Sequence, residues 1–313
     1  MVHDARVGIF GAAGAVGSAA AFALAVAGVR RLVLADASTP RLAAQRIDLE
    51  ALAATLPGLD VRTGDLDALA GCDVIVSCAA VPHRDGEPRA AFLADNAAIL
   101  APLAQAIELL DGERVPTLLL VSNPVDALAT LLARRLGERA HVVGYTLNDT
   151  LRLRVAVAHL RGCDPVDVEA WSVGEHGPLA VPLLSRVRVC GQRIELTARE
   201  RERVCAELGG WYARWQELGT GRTTQWSSGW GVAAIVRALL RGDSRPWPVS
   251  TALDGAWGVE GVHLTAPALL GPGEAPRVVP WTIAPEERAA IAAAAGSVAG
   301  ACDALATVHG GAR

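Results

Sequence analysis

Five short stretches of this 313-residue chain hold side chains able to do chemistry. His176 stands in the glycine-flanked turn GEHG, and an imidazole can give and take a proton near neutral pH. In NDTLRLR, Asp149 and Arg152 are three residues apart, which puts a carboxylate and a guanidinium on one helix face. SNPVD carries Asn123. The loop VPHRDGEPR carries His83, Arg84 and Arg89, and it follows DVIVSCAA, a run apolar enough to end a buried strand. Arginine is suited to gripping a carboxylate with two parallel hydrogen bonds, so an anionic small molecule is one reading of this loop. Plain solvated surface is the other.

The fifth stretch, IFGAAGAVGSAAAFALA, places Gly11, Gly14 and Gly17 between a strand and a helix. Such glycines allow a tight turn, a close backbone approach to a pyrophosphate, and close packing of helix on strand. The helix N-terminus then faces the phosphates with its partial positive charge. Asp36 closes RLVLAD, 19 residues after Gly17, where a carboxylate can accept from the hydroxyls of an adenosine ribose and repel a 2′-phosphate. A helix N-cap is the competing role for Asp36, and Arg41 leaves room for some NADP.

Composition narrows the chemistry further. All 29 basic residues are arginine, which removes Schiff-base catalysis, the P-loop lysine and the Tyr-x-x-x-Lys proton donor. Six cysteines lie far apart without a CxxC pair, so neither zinc nor a disulfide framework is expected. The net charge of −4 comes without a basic tract, so nucleic acid is not an expected partner. No apolar run is expected to reach the ~20 residues of a membrane span, no signal-peptide pattern opens the chain, and a cytoplasmic protein is expected.

These residues need a scaffold, and the first half supplies one by alternation. VGIF, RLVLAD, DVRTGD, DVIVSC, TLLLVS and HVVGY read as strands, several of them separated by alanine- and leucine-rich helices. That pattern predicts a parallel sheet covered by helices on both faces. From about Tyr145 the texture changes. A helix over LNDTLRLRVAVAHLRG leads to a β-like pair around EAWSVGEHGP and LLSRVRVCGQRIEL, then to helices near ARERERVCAELGGWYARWQEL and SSGWGVAAIVRALLRG. Short antiparallel strands are expected between Arg245 and Pro280, and a final alanine-rich helix from the APEE cap. Two domains follow, 1–144 and 145–313.

On GAAGAVG, the loop ending in Arg89, VSNPVD, NDTLRLR and GEHG, in that order and spacing, the sequence resembles the lactate/malate dehydrogenase family from Val7 to about Ala304. The resemblance implies an α/β fold, a doubly wound Rossmann sheet followed by an α+β substrate domain. It also implies hydride transfer between NADH and a 2-keto acid, giving an L-2-hydroxy acid. By the same resemblance His176 looks like the proton donor, Asp149 the carboxylate that fixes its tautomer, and Arg152 the clamp on the substrate carboxylate. Asn123 would hydrogen-bond substrate, and Arg89 would polarise the carbonyl as its loop closes, with Gly86 supplying flexibility. Gly11, Gly14, Ala15, Val16, Gly17, Asp36, Asn96, Val121 and Asn123 would line the NAD site. Singly, each catalytic residue has a bland reading: a core histidine, a helix cap, surface ion pairs, a plain helix residue for Asn96.

The pattern departs where the family sets substrate choice, six residues before the polarising arginine. Malate dehydrogenases usually have arginine there and lactate dehydrogenases glutamine; this chain has His83, with Arg84 beside it. Arg222 could add charge from the opposite wall, where Thr223, Thr224, Gln225, Ser227 and Ser228 offer polar donors and Trp226 and Trp230 are expected to narrow the pocket. A desolvated, hydrogen-bonded ion pair can add roughly 2 to 5 kcal/mol to discrimination, so three cationic candidates favour a dianion of the oxaloacetate/malate type. A specialised anionic 2-keto acid such as phosphonopyruvate, a lactate-type substrate, and a catalytically silent NAD-binding sensor are the alternatives. A homodimer or homotetramer is expected, and no metal.

Overall fold

The computed structural model describes residues 4–81, 89–110, 115–220 and 223–310. Its first half runs β1 (Arg6–Phe10), α1 (Ala15–Val26), β2 (Arg31–Ala35), α2 (Thr39–Ala51), β3 (Asp60–Thr63), α3 (Leu66–Ala70), β4 (Val74–Ser77), α4 (Arg89–Glu108), β5 (Thr117–Leu120), α5 (Val125–Leu136) and β6 (His141–Tyr145). The second half runs α6 (Leu147–Arg161), β7 (Val168–Glu169), β8 (Ser172–Gly174), β9 (Ala180–Pro182), β10 (Arg188–Val189), β11 (Gln192–Arg193), α7 (Ala198–Glu217), α8 (Gln225–Arg241), β12 (Trp247–Ala252), β13 (His263–Leu269), β14 (Arg277–Val278) and α9 (Pro285–Gly310).

The six strands read from the first half all form and pair in parallel in the order β3-β2-β1-β4-β5-β6. This is the doubly wound arrangement, in which ligands bind outside the carboxyl ends of the strands. Both faces are buried, as alternation along β4 and β5 makes plain. Ile75, Leu118 and Leu120 enter one core with α3, α4, α5 and α9. Val74, Val76 and Leu119 enter the other with α1, α2 and α8. Each fully buried aliphatic side chain contributes ~1.5–3 kcal/mol.

The sheet does not stop at β6. It continues antiparallel through β12, β13, β8 and β9, so the strands of the second half extend the first-half sheet. The expected β-like pair divides: β8 joins this large sheet, whereas the β10–β11 hairpin pairs with β7 in a separate small one.

One expectation is corrected. Pro285–Thr307 in α9 is long and apolar enough, with a mean hydropathy of 1.5, to cross a membrane by length and composition alone. Alanine conceals this in the sequence, because each residue adds little apolarity while a long run accumulates it. In the fold, Ile291, Ala294, Val298 and Cys302 recur at helical spacing and enter the core beneath the sheet.

Candidate active site

The glycine turn lies at the carboxyl end of β1. Gly11 has φ of 79°, and a Cβ there would lie 2.6 Å from the Ala79 backbone nitrogen at the end of the neighbouring strand. A Cβ on Gly17 would collide with the Gly11 carbonyl oxygen, so the helix can approach the turn this closely only without a side chain. Helix α1 begins at Ala15 with Gly14 as its N-cap and no side-chain cap. The amides of Ala15, Val16 and Gly17 thus open the helix where an anion can accept them.

Asp36 follows β2 directly. Its Oδ2 accepts the Ala13 amide at 2.9 Å and its Oδ1 the Ser38 amide at 2.8 Å. The carboxylate therefore braces the glycine turn and the start of α2 together, and each oxygen keeps a further lone pair for a ligand hydroxyl. Ser38, not Asp36, is the N-cap of α2. The chain thus fits a bound dinucleotide: a cradle a Cβ would fill, an uncapped helix start, and a braced carboxylate at the second strand end.

Asn96 of α4 is buried, with 2% of its surface exposed. Its Oδ1 accepts the Val81 amide at 2.8 Å and its Nδ2 donates to the Asn123 carbonyl at 2.7 Å. It thereby ties the chain leaving β4 to the chain leaving β5. Val121 continues the β5 ladder, donating its amide to the Ser77 carbonyl at 2.9 Å. Asn123 follows at the same end, immediately before the N-cap of α5.

The three groups expected to do chemistry come together. Asp149, in the first turn of α6, accepts from His176 Nδ1 on Oδ2 at 2.6 Å. Its Oδ1 lies 3.4 Å from Nη1 of Arg152, one helical turn further on. Burial pulls the His176 imidazole pKa down, but the charge and hydrogen bond of Asp149, helped by Asp126, outweigh burial and the repulsion of Arg152. The net shift is upward from 6.5. Burial draws the Arg152 guanidinium below its ordinary value, against the attraction of Asp149. Because Asp149 occupies Nδ1, His176 has Nε2 left to face a substrate.

Several expected residues lie elsewhere or beyond description. His83, Arg84, Gly86 and Arg222 fall outside the described residues. Arg89 is the first residue of α4, and its side chain is likewise outside them. Thr224 is the N-cap of α8, with its hydroxyl 3.5 Å from that of Ser228. Ser228 is buried and accepts from Asn148 Nδ2 at 2.9 Å. Trp226 and Trp230 do not narrow a pocket on that wall. They are 72% and 58% exposed, two residues to either side of Ser228 and so across the helix from it.

Sequence reasoning missed three participants. Trp211 of α7 lies beneath the Arg152 guanidinium, 3.8 Å from Cζ to the ring centroid. Tyr145, at the end of β6, donates to Asn148 Oδ1 at 2.8 Å beside the same helix start. Asp126 accepts the His176 backbone amide at 2.6 Å. The signal for Asp126 was present in SNPVD, but nothing local says that this aspartate meets a residue fifty positions later.

The chain is similar to known proteins along most of its length. Residues 5–143 match the family model for the lactate/malate dehydrogenase NAD-binding domain. A malate dehydrogenase of Halobacterium salinarum is 34% identical over 90% of this chain and 93% of its own. An L-lactate dehydrogenase of Treponema denticola is 29% identical over 90% and 93%. Among solved structures, the malate dehydrogenase of Aeropyrum pernix superposes with a TM-score of 0.86 at 25% identity, over 96% of this chain and 98% of that one.

Proposed function

The chain belongs to the lactate/malate dehydrogenase family of NAD-dependent 2-hydroxy acid dehydrogenases, and on that premise we propose that it interconverts a dianionic 2-keto acid of the oxaloacetate type and the matching L-2-hydroxy acid. The observation that carries the reaction type is the 2.6 Å contact between His176 Nδ1 and Asp149, with Arg152 on the same carboxylate.

In this reading Arg152 binds the substrate carboxylate with its paired N–H groups. His176, kept protonated to higher pH by Asp149, gives the Nε2 proton to the carbonyl oxygen and takes it back in the reverse direction. NADH held at the glycine turn and Asp36 would be the source of hydride for the carbonyl carbon. Asn123 and Thr224 contact the substrate, and Arg89 polarises its carbonyl. Gly11, Gly14, Ala15, Val16 and Gly17 hold the pyrophosphate, Asp36 the adenosine ribose, and Asn96 and Val121 shape the nicotinamide end. The Asp36 carboxylate disfavours NADP. Positive charge from His83, Arg84 and Arg222 selects a second anionic group.

The same reading divides the chain into an NAD-binding domain, 1–144, and a substrate domain, 145–313. It includes a homo-oligomer, supported by the exposed apolar pairs Phe22 and Val26 on α1 and Trp226 and Trp230 on α8, helices that meet where Ala19 faces Gly229. A cytoplasmic location suits six cysteines that form no disulfide among the described residues.

The test follows NADH consumption with oxaloacetate, phosphonopyruvate, pyruvate, phenylpyruvate and 2-ketoisovalerate. A dianion ranked first supports the proposal; a monoanion ranked first overturns the substrate class. His176→Asn is expected to abolish turnover while NADH still binds. Turnover near wild type in that variant overturns the assignment of the proton donor.

A further inference from the structure

We propose that Asp126 is a positioning residue for His176, a buried carboxylate that holds the backbone of the proton donor while Asp149 holds its ring. The proposal rests on the reading of His176 as that donor.

Asp126 lies in the first turn of α5 and is 2% exposed. Both of its oxygens are engaged. Oδ2 accepts the backbone amide of His176 at 2.6 Å, and Oδ1 accepts the hydroxyl of Ser250 at 2.5 Å. Ser250 is fully buried in β12, paired in register with Gly144 of β6. A Cβ on Gly144 would lie 2.6 Å from that of Ser250 and 2.8 Å from Cγ2 of Val125, so the glycine lets Ser250 settle over the start of α5. Three elements, β6, β12 and α5, thus converge on the amide of one loop residue.

An amide needs no carboxylate for its satisfaction; a carbonyl would serve without the cost of burying a charge. The carboxylate adds two things a carbonyl cannot. It shortens and strengthens the bond to the backbone, which fixes the loop from which the imidazole reaches Asp149. It also adds negative charge beside the ring. Among the described residues, the charged groups facing His176 are Asp149 and Arg152 from α6 and Asp126 from α5. The two carboxylates raise its pKa and the arginine lowers it, against burial. Asp126 itself is pushed up to about 6 by burial, opposed by its bonds to Ser250 and to the His176 amide and by the His176 charge, while Glu175 raises it further.

The experiment is a pH titration of the full-length protein with isotope-labelled histidine, followed by NMR and assigned with His176→Asn. In the wild type, the His176 backbone amide resonance should titrate with a midpoint near that of Asp126, distinct from the ring midpoint. In Asp126→Asn, which keeps the shape and removes the charge, the ring midpoint should fall by roughly half to one pH unit. kcat should fall about tenfold while the Kd for NADH stays within about twofold. Ser250→Ala serves as the structural control. It removes a buried hydrogen bond but leaves the charge, so it should lower Tm without lowering the ring midpoint to the Asp126→Asn value.

An unchanged ring midpoint in Asp126→Asn, or a wild-type amide that ignores the Asp126 ionisation, overturns the proposal. The wild-type amide titration decides even where Asp126→Asn does not fold. If no 2-keto acid is turned over, the oxidoreductase reading fails on its own, while the resonances still report whether Asp126 governs His176.

Discussion

The guanidinium of Arg152 lies over the indole of Trp211, Cζ 3.8 Å from the ring centroid, while Nη1 points to Asp149 at 3.4 Å. Trp211 is stacked in turn on Trp215, centroids 5.6 Å apart and planes 12° from parallel. A ring beneath a guanidinium attracts the cation and restricts its plane without occupying its in-plane donors. Stacking therefore leaves the edge of the guanidinium, apart from the Nη1 contact to Asp149, to in-plane hydrogen bonding.

Trp211→Ala should therefore raise KM for the keto acid by about 3- to 30-fold, the equivalent of roughly 0.5–2 kcal/mol, with kcat and NADH affinity little changed. Trp211→Phe should recover most of it. Steady-state kinetics check this, and an unaltered KM in the alanine variant removes Trp211 from the site.

Arg152→Lys keeps the charge and loses the fork. A compact ammonium cannot reproduce the paired hydrogen bonds, so KM should rise by at least about tenfold, or ~1.4 kcal/mol. Equal KM in the two proteins would separate Arg152 from substrate binding.

In the proposed keto-acid reduction His176 acts in its protonated form, and its pKa is raised above 6.5 despite burial because of Asp149 and Asp126. Reduction should hold to a pH above 6.5 and fall as pH rises through that raised pKa. Asp149→Asn should move the falling limb to lower pH and cut kcat. A pH profile of kcat/KM that stays in place in this variant contradicts the pairing.

Gly17→Ala places a Cβ against the Gly11 carbonyl oxygen. The turn must open to relieve the contact, so Kd for NADH should rise by about tenfold or more, ~1.4 kcal/mol. Fluorescence titration with NADH measures it, and wild-type affinity would show that the turn does not cradle the cofactor.

His263 governs an acid limb of stability. Burial pushes its imidazole down to about 4, against its bond to the Val142 carbonyl, so it is neutral in the fold where the unfolded chain titrates near 6.5. A depressed histidine pKa stabilises the fold fully above the unfolded value, and that stability is lost as pH falls from about 6.5 to about 4. The loss is about 3 kcal/mol. Urea midpoints at pH 7.5 and 5 should differ by more in the wild type than in His263→Gln.

The first-half sheet was legible because parallel strands buried on both faces read as continuous apolar runs, and because a tight strand-to-helix turn restricts its close positions to glycine. RLVLAD, TLLLVS and GAAGAVG needed no partner to be recognised. The His176–Asp149–Arg152 group was legible in part. Asp149 and Arg152 share one helical face by spacing alone, but His176 is brought to them by the path of β8, which pairs with β13 from ninety residues downstream. Local pattern is silent on such pairings, and so it left open that β12, β13, β8 and β9 would extend the Rossmann sheet.

It was silent too on which face of α8 carries Trp226 and Trp230. Two tryptophans four apart satisfy a core stripe and an exposed stripe equally, and the packing of Gly229 on Ala19 decided between them. The sequence by itself determined which groups could exchange protons, grip a carboxylate and cradle a phosphate, because those are properties of residue type and short spacing. Only the tertiary structure decided that Asp126 meets the amide of His176 and that Trp211 lies under Arg152. Contacts across fifty residues depend on how whole helices and strands pack, and no local periodicity encodes them.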